Sequence, residues 1–267
     1  NDDEIAKPAN RTTEARYPQM IYHLLYPLHT TIAAFNVFRY ITFRTIYASL
    51  TAFLICFLLG PWVILRLSLM QVGQYIREDG PKDHFKKAGT PTMGGVLIIF
   101  AVAGSTLLWT DLTNRYVWIA LLATLGFGAI GFADDYLMQV KKRNLGLTAR
   151  QKLLLQVLLA LLVGLLAYMV PEFSTKLSVP FFKRLTPDPG WGYIFFAGLV
   201  IVGASNAVNL TDGLDGLAIG PVIIAAVTYM IFAYVAGHAR IADYLQITPV
   251  AGCGEITVYC GALAGAG

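Results

Sequence analysis

Asn206, Asn209, Asp212 and Asp215 recur every third residue in Ser205-Asn-Ala-Val-Asn-Leu-Thr-Asp-Gly-Leu-Asp-Gly216, between the apolar runs 193–204 and 217–236. Two carboxylates and two amides at the mouth of an apolar helix are costly and point to a functional site. Each three-residue helical step turns about −60°, so neighbours share a face and the outer pair does not. A tightened last turn, or a break at Gly213, would gather all four around one cleft. A second pair of acids, Asp134-Asp135, closes another apolar run. Adjacent helical positions point about 100° apart, so one carboxylate can face a reacting group while the other holds a cation or a lysine. Acids at a helix C-terminus are electrostatically disfavoured, which argues for a role in function over a solvated helix end.

Basic residues lie near these acids in the sequence. Thr90-Pro-Thr-Met-Gly-Gly95 reads as an N-cap threonine, a proline at the first helical position and a glycine pair suited to close helix packing. The same helix start beside Lys86 and Lys87 is also a ready anion site. Lys141, Lys142 and Arg143 set topology and can attract an anionic headgroup or pyrophosphate. Lys152 could reach back into the cleft. Carboxylates and lysines on one membrane face suit metal-assisted phosphoryl chemistry, in which Mg²⁺ takes one or two carboxylates plus substrate phosphates.

The positioning elements must be membrane helices. The 267 residues are 56% hydrophobic and 13% charged, with mean hydropathy +0.60, outside the range of soluble domains. No alternating barrel pattern is present, so the fold class is all-α, a polytopic helical bundle. Expected spans are 45–65 (ending near Pro61), 92–109, 116–133, 151–170, 191–209 and 216–236, with a seventh beginning near Glu255: six complete helices and the start of another. Asp111–Asn114 makes a short turn, 171–190 a Pro-rich segment, and 20–44 an interfacial helix containing Arg39 and Arg44. Residues 1–19 read as an upstream extension or disordered arm, and 20–267 as one transmembrane domain that is incomplete at its C-terminus. Loops 66–92 and 134–152 carry five Lys or Arg each, against one, three and one in 110–116, 171–190 and 237–250. Ten against five puts loops 66–92, 134–152 and 206–216 in the cytoplasm. Cys56, Cys253 and Cys260 have no metal or redox spacing. The four histidines form no ligand pair.

The combination Thr90-Pro-Thr-Met-Gly-Gly95, Gly131-Phe-Ala-Asp-Asp-Tyr136 and Asn206-Ala-Val-Asn-Leu-Thr-Asp-Gly-Leu-Asp-Gly216 closely resembles the phospho-N-acetylmuramoyl-pentapeptide transferases, within the polyprenyl-phosphate sugar-1-phosphate transferases. Phe35–Arg44 and Val179–Lys183 are similar to that family too. The resemblance implies transfer of phospho-MurNAc-pentapeptide from UDP-MurNAc-pentapeptide to undecaprenyl phosphate, giving lipid I and UMP with Mg²⁺ in the bacterial inner membrane. It implies Asp134, Asp135 and Asp212 as catalytic acids, with Asp134 deprotonating or positioning the lipid phosphate. It implies Asp135 and Asp212 as metal ligands, and Lys87, Thr92, Lys152, Asn206, Asn209 and Asp215 as substrate contacts. A homodimer is a further expectation, and nucleic acid is not an expected partner. The family has ten spans and a further cytoplasmic aspartate and histidine-rich loop after the point where this sequence stops, so the 267-residue chain alone is expected to be inactive. The rival functions are a UDP-GlcNAc transferase, separable by substrate, an ion-coupled transporter, whose acids would lie near the midplane, and a membrane scaffold unable to bind the nucleotide sugar.

Overall fold

The computed structural model describes residues 25–70, 93–139, 146–171, 173–179, 182, 185–211 and 217–267. Eight α-helices follow one another among the described residues after residue 40: α1 (Ile41–Met70), α2 (Gly95–Trp109), α3 (Arg115–Gln139), α4 (Ala149–Tyr168), α5 (Tyr193–Thr211), α6 (Ile219–Gly237), α7 (Ala239–Tyr244) and α8 (Gly254–Ala266). By length and composition α1, α3, α4, α5 and α6 can each cross a membrane, and α2 is a shorter apolar helix of 15 residues. The expected spans are all present as helices, and α8 begins where the seventh was expected.

Large apolar side chains face outward on the long helices, among them Phe57, Leu199 and Ile224, each about two-thirds exposed or more. Such surfaces are stable against lipid and would drive association in water. The interior is built instead from small residues: Ala48 and Ala52 of α1, Ala101 and Val102 of α2, and Val258, Ala262 and Ala266 of α8 form one buried cluster. Small side chains let helices approach closely where the hydrophobic effect gives no drive to associate. α8 packs against α1, α2, α3 and α6, and α3, α4 and α5 continue as a row. α4 sits close to both neighbours in that row. Leu159 of α4 fills the space beside Gly126 of α3, and Gly164 lies against the Ile194 and Ala197 backbone and side chain of α5.

Several expectations are corrected. The described part of 20–44 is two 3-10 helices, Tyr26–Thr30 and Ala33–Arg39, followed by α1. Ile32 and Tyr40 are extended, with ψ 104 and 121, and each interrupts the run; short isolated turns commonly take the 3-10 form. The second of these turns is anchored by Phe38, which stacks on Trp109 with ring centroids 6.2 Å apart. Pro61 does not end the first span, because α1 runs through it to Met70. In lipid, ending a helix would leave its backbone groups without water, so the proline is carried inside. Arg44 belongs to α1, where it is buried in the first turn. The N-cap position of α2 is Gly94, with no side-chain cap, rather than Thr90; Thr90 and Pro91 lie outside the described residues. Among the described residues, a Cβ at Gly94 or Gly95 would meet nothing within 4 Å.

The 111–114 turn forms as expected. Asp111 Oδ1 accepts from the Thr113 N–H at 2.9 Å, and Asn114 Oδ1 accepts from the Tyr116 N–H at 2.9 Å, opening α3. Helix direction then alternates, so this turn and the start of α8 share one end of the bundle. The C-termini of α3 and α5 and the N-terminus of α4 share the other.

Candidate active site

Asp134 lies about a turn before the end of α3, and α4 supplies its partners. Thr148 caps α4 through a capping box: its hydroxyl oxygen accepts from the Gln151 N–H, and Gln151 Oε1 accepts from the Thr148 N–H. This Thr-x-x-Gln signal is visible in the sequence. The cap fixes the entry of α4 and hence Lys152, whose Nζ donates to Asp134 Oδ2 at 2.9 Å. The other oxygen, Oδ1, accepts from the Leu147 N–H at 2.9 Å. Gly146 makes this fold-back feasible. Its φ is +55°, and a Cβ there would sit 2.5 Å from Asp134 Oδ1. The Asp134–Lys152 pair is neither buried nor fully exposed, with side chains 16% and 23% accessible.

Asp135 follows Asp134 on the same helix, partly buried, and so points about 100° away. Asn206 and Asn209 lie in the last three turns of α5, on adjoining faces. Asn206 is half-buried and bonded across to α4, while Asn209 is exposed. The structure therefore brings Asp134, Lys152 and Asn206 to one end of the α3–α4–α5 row. Lys87, Thr92, Asp212 and Asp215 lie outside the described residues, as does the expected break at Gly213.

Gln156 is the residue that sequence reasoning missed here. It is buried, one turn beyond Lys152, and its Oε1 accepts from Asn206 Nδ2 at 2.9 Å. Its signal was available: one amide inside the apolar run 153–165, four residues from Lys152.

A second polar cluster, also missed, sits at the opposite end. Arg44 and Glu255 form a two-pronged ion pair at 2.7 and 2.6 Å. Glu255 Oε2 also accepts from the Asp111 N–H, and Arg44 also donates to the Trp109 carbonyl. Being at the far end of the bundle, it belongs to the frame and not to the site.

Residues 117–259 match the family model for glycosyl transferase family 4. Residues 87–99 match signature 1 of the phospho-N-acetylmuramoyl-pentapeptide transferases. A phospho-N-acetylmuramoyl-pentapeptide-transferase of Desulforapulum autotrophicum is 69% identical over 248 residues, which is 93% of this chain and 69% of the relative. Those of Desulfosudis oleivorans and Syntrophus aciditrophicus are 65% and 60% identical, covering 92% and 93% of this chain and 68% and 69% of each relative. The chain belongs to the phospho-N-acetylmuramoyl-pentapeptide transferase family. It is thus a multi-pass membrane transferase of peptidoglycan synthesis, and the transporter alternative gives way. The family model spans Asp134, Lys152, Gln156 and Asn206 together, and the signature takes in Lys87 and Thr92.

Proposed function

We propose that the protein transfers phospho-MurNAc-pentapeptide from UDP-MurNAc-pentapeptide to undecaprenyl phosphate, giving lipid I and UMP, in the bacterial inner membrane with its active site open to the cytoplasm. The observation that carries this is the Lys152–Asp134 pair, braced by the Leu147 N–H, at the same end of the bundle as Asn206. The Lys152 side chain is partly exposed. When it turns to a substrate phosphate, Asp134 Oδ2 is released to position the lipid phosphate and take its proton. The excess of Lys and Arg in loops 66–92 and 134–152 supports a cytoplasmic site.

The donor chemistry at this end suits Mg²⁺, a hard cation that takes carboxylate oxygens. The family resemblance implies Asp135, beside Asp134 on α3, and Asp212 as the residues that would hold the ion. When bound, Mg²⁺ would offset the charge between two anionic reactants. Lys87, Thr92, Asn209 and Asp215 would contact the nucleotide sugar, as the family resemblance implies. A homodimer remains an expectation of the same resemblance.

The test is transfer by the full-length enzyme in detergent, offered UDP-MurNAc-pentapeptide or UDP-GlcNAc with undecaprenyl phosphate, and read as UMP release and lipid-linked product. Turnover of the first alone, lost with EDTA and restored by Mg²⁺, is expected. Turnover of UDP-GlcNAc instead, or full activity in EDTA, would contradict it.

A further inference from the structure

On α4, Lys152 and Gln156 stand one turn apart on a shared face, and each reaches a different neighbouring helix. Lys152 pairs with Asp134 on α3, and Gln156 bonds Asn206 on α5. Gln156 is 3% exposed. A buried amide in an apolar helix is costly unless it is bonded, so its presence calls for a reason.

The bonds around Asn206 fix which way its amide faces. Asn206 Nδ2 donates to the Val202 carbonyl of its own helix at 2.8 Å and to Gln156 Oε1 at 2.9 Å. A main-chain carbonyl only accepts, so the nitrogen end must face Val202. That same nitrogen faces Gln156, which must therefore present its oxygen. Both amide protons of Asn206 are spent on these two bonds. Its Oδ1, on the other side of the amide carbon, is the atom left for a ligand.

We propose that Gln156 is a positioning residue, which holds Asn206 as a hydrogen-bond acceptor toward a donor group, N–H or hydroxyl, of the nucleotide-sugar substrate. The inference rests on the proposed function, in which Asn206 contacts that substrate. α4 then sets two spacings at once: that of Lys152 to the acid on α3, and that of Gln156 to the amide on α5. Without Gln156 the Asn206 amide keeps one bond and can turn. Its acceptor is then no longer committed to the substrate.

The test uses the full-length transferase with Gln156→Met, Gln156→Glu, Asn206→Ala and the double variant Gln156→Met/Asn206→Ala. KM for UDP-MurNAc-pentapeptide, kcat and the thermal midpoint are read for each. Gln156→Met should raise KM about 10-fold, the scale of one substrate hydrogen bond, with kcat within about 2-fold. Gln156→Glu, which keeps the acceptor, should recover most of that rise. The double variant should be no worse than Asn206→Ala alone, because Gln156 acts through Asn206. Unchanged KM in Gln156→Met or in Asn206→Ala, or additive losses in the double variant, would overturn the proposal. A loss of thermal midpoint matched in Gln156→Glu, with no recovery of KM, would also overturn it and leave a structural role. If the wild-type enzyme does not use UDP-MurNAc-pentapeptide, the proposed function itself falls. A wild type that turns over beside an unaffected Gln156→Met removes this inference alone.

Discussion

Replacing Glu255 with methionine takes a counter-charge away from an arginine that is 2% exposed. In the native protein both Glu255 oxygens bond the Arg44 guanidinium, at 2.7 and 2.6 Å, and one of them also accepts from the Asp111 N–H at 2.9 Å. Removing one partner of a buried pair costs about 3–5 kcal/mol, because the remaining charge stays in a low-dielectric interior. Replacing both residues, as Arg44→Met/Glu255→Met, removes both charges together. What is then lost is the partner of the Asp111 N–H and of the Trp109 carbonyl, about 1–2 kcal/mol each where no water reaches them. The double variant should therefore lie about 2–4 kcal/mol below wild type, and at or above the stability of either single variant. The assay is reversible denaturant unfolding of the purified protein in detergent micelles, with wild type, Arg44→Met, Glu255→Met and the double variant compared. Strictly additive losses, with the double variant the least stable of the four, would refute the account of the pair as charge-coupled.

Three further outcomes follow from the site and its surroundings. Lys152→Met should lower kcat of transfer about 10²–10³-fold, the scale of losing one preorganised donor, with little change in unfolding because the pair is partly solvated; kcat within about 3-fold of wild type would count against it. Gly146→Ala should destabilise by about 1–2 kcal/mol for a left-handed alanine and should also reduce turnover, since its Cβ would press on Asp134 Oδ1; unfolding measurements beside kinetics check both. In the 171–190 segment, the Thr175 hydroxyl, followed by the Gly190 N–H, holds the Asp188 carboxyl below its usual value of 3.8. A depressed folded value gives stability that is fully present above the unfolded pKa and lost as pH falls through the folded one. The gap between wild type and Asp188→Asn should thus be open at pH 6 and narrow as the pH falls below the ordinary carboxylate range in paired unfolding curves.

The sequence by itself determined the material and much of the chemistry. Its apolar runs dictate helices, because a backbone in lipid must satisfy itself locally, and the runs near 116–133, 151–170 and 191–209 became α3, α4 and α5 with small shifts at their ends. Residue types and spacing also singled out Asp134, Lys152 and Asn206, since polar groups at the ends of apolar helices stand out against their neighbours. That Lys152 reaches back was also legible, being short in sequence, and the partner it meets is Asp134.

Only the tertiary structure decided which polar groups pair over distance. Arg44 and Glu255 are 211 positions apart, and Gln156 and Asn206 are 50 apart. No periodicity links such residues, because their meeting depends on which helices are neighbours. That choice is made by close packing of small residues, such as Gly164 of α4 against Ile194 and Ala197 of α5 and the alanines of α1, α2 and α8 against one another. Local pattern also misjudged Pro61. The proline's cost depends on what surrounds the helix.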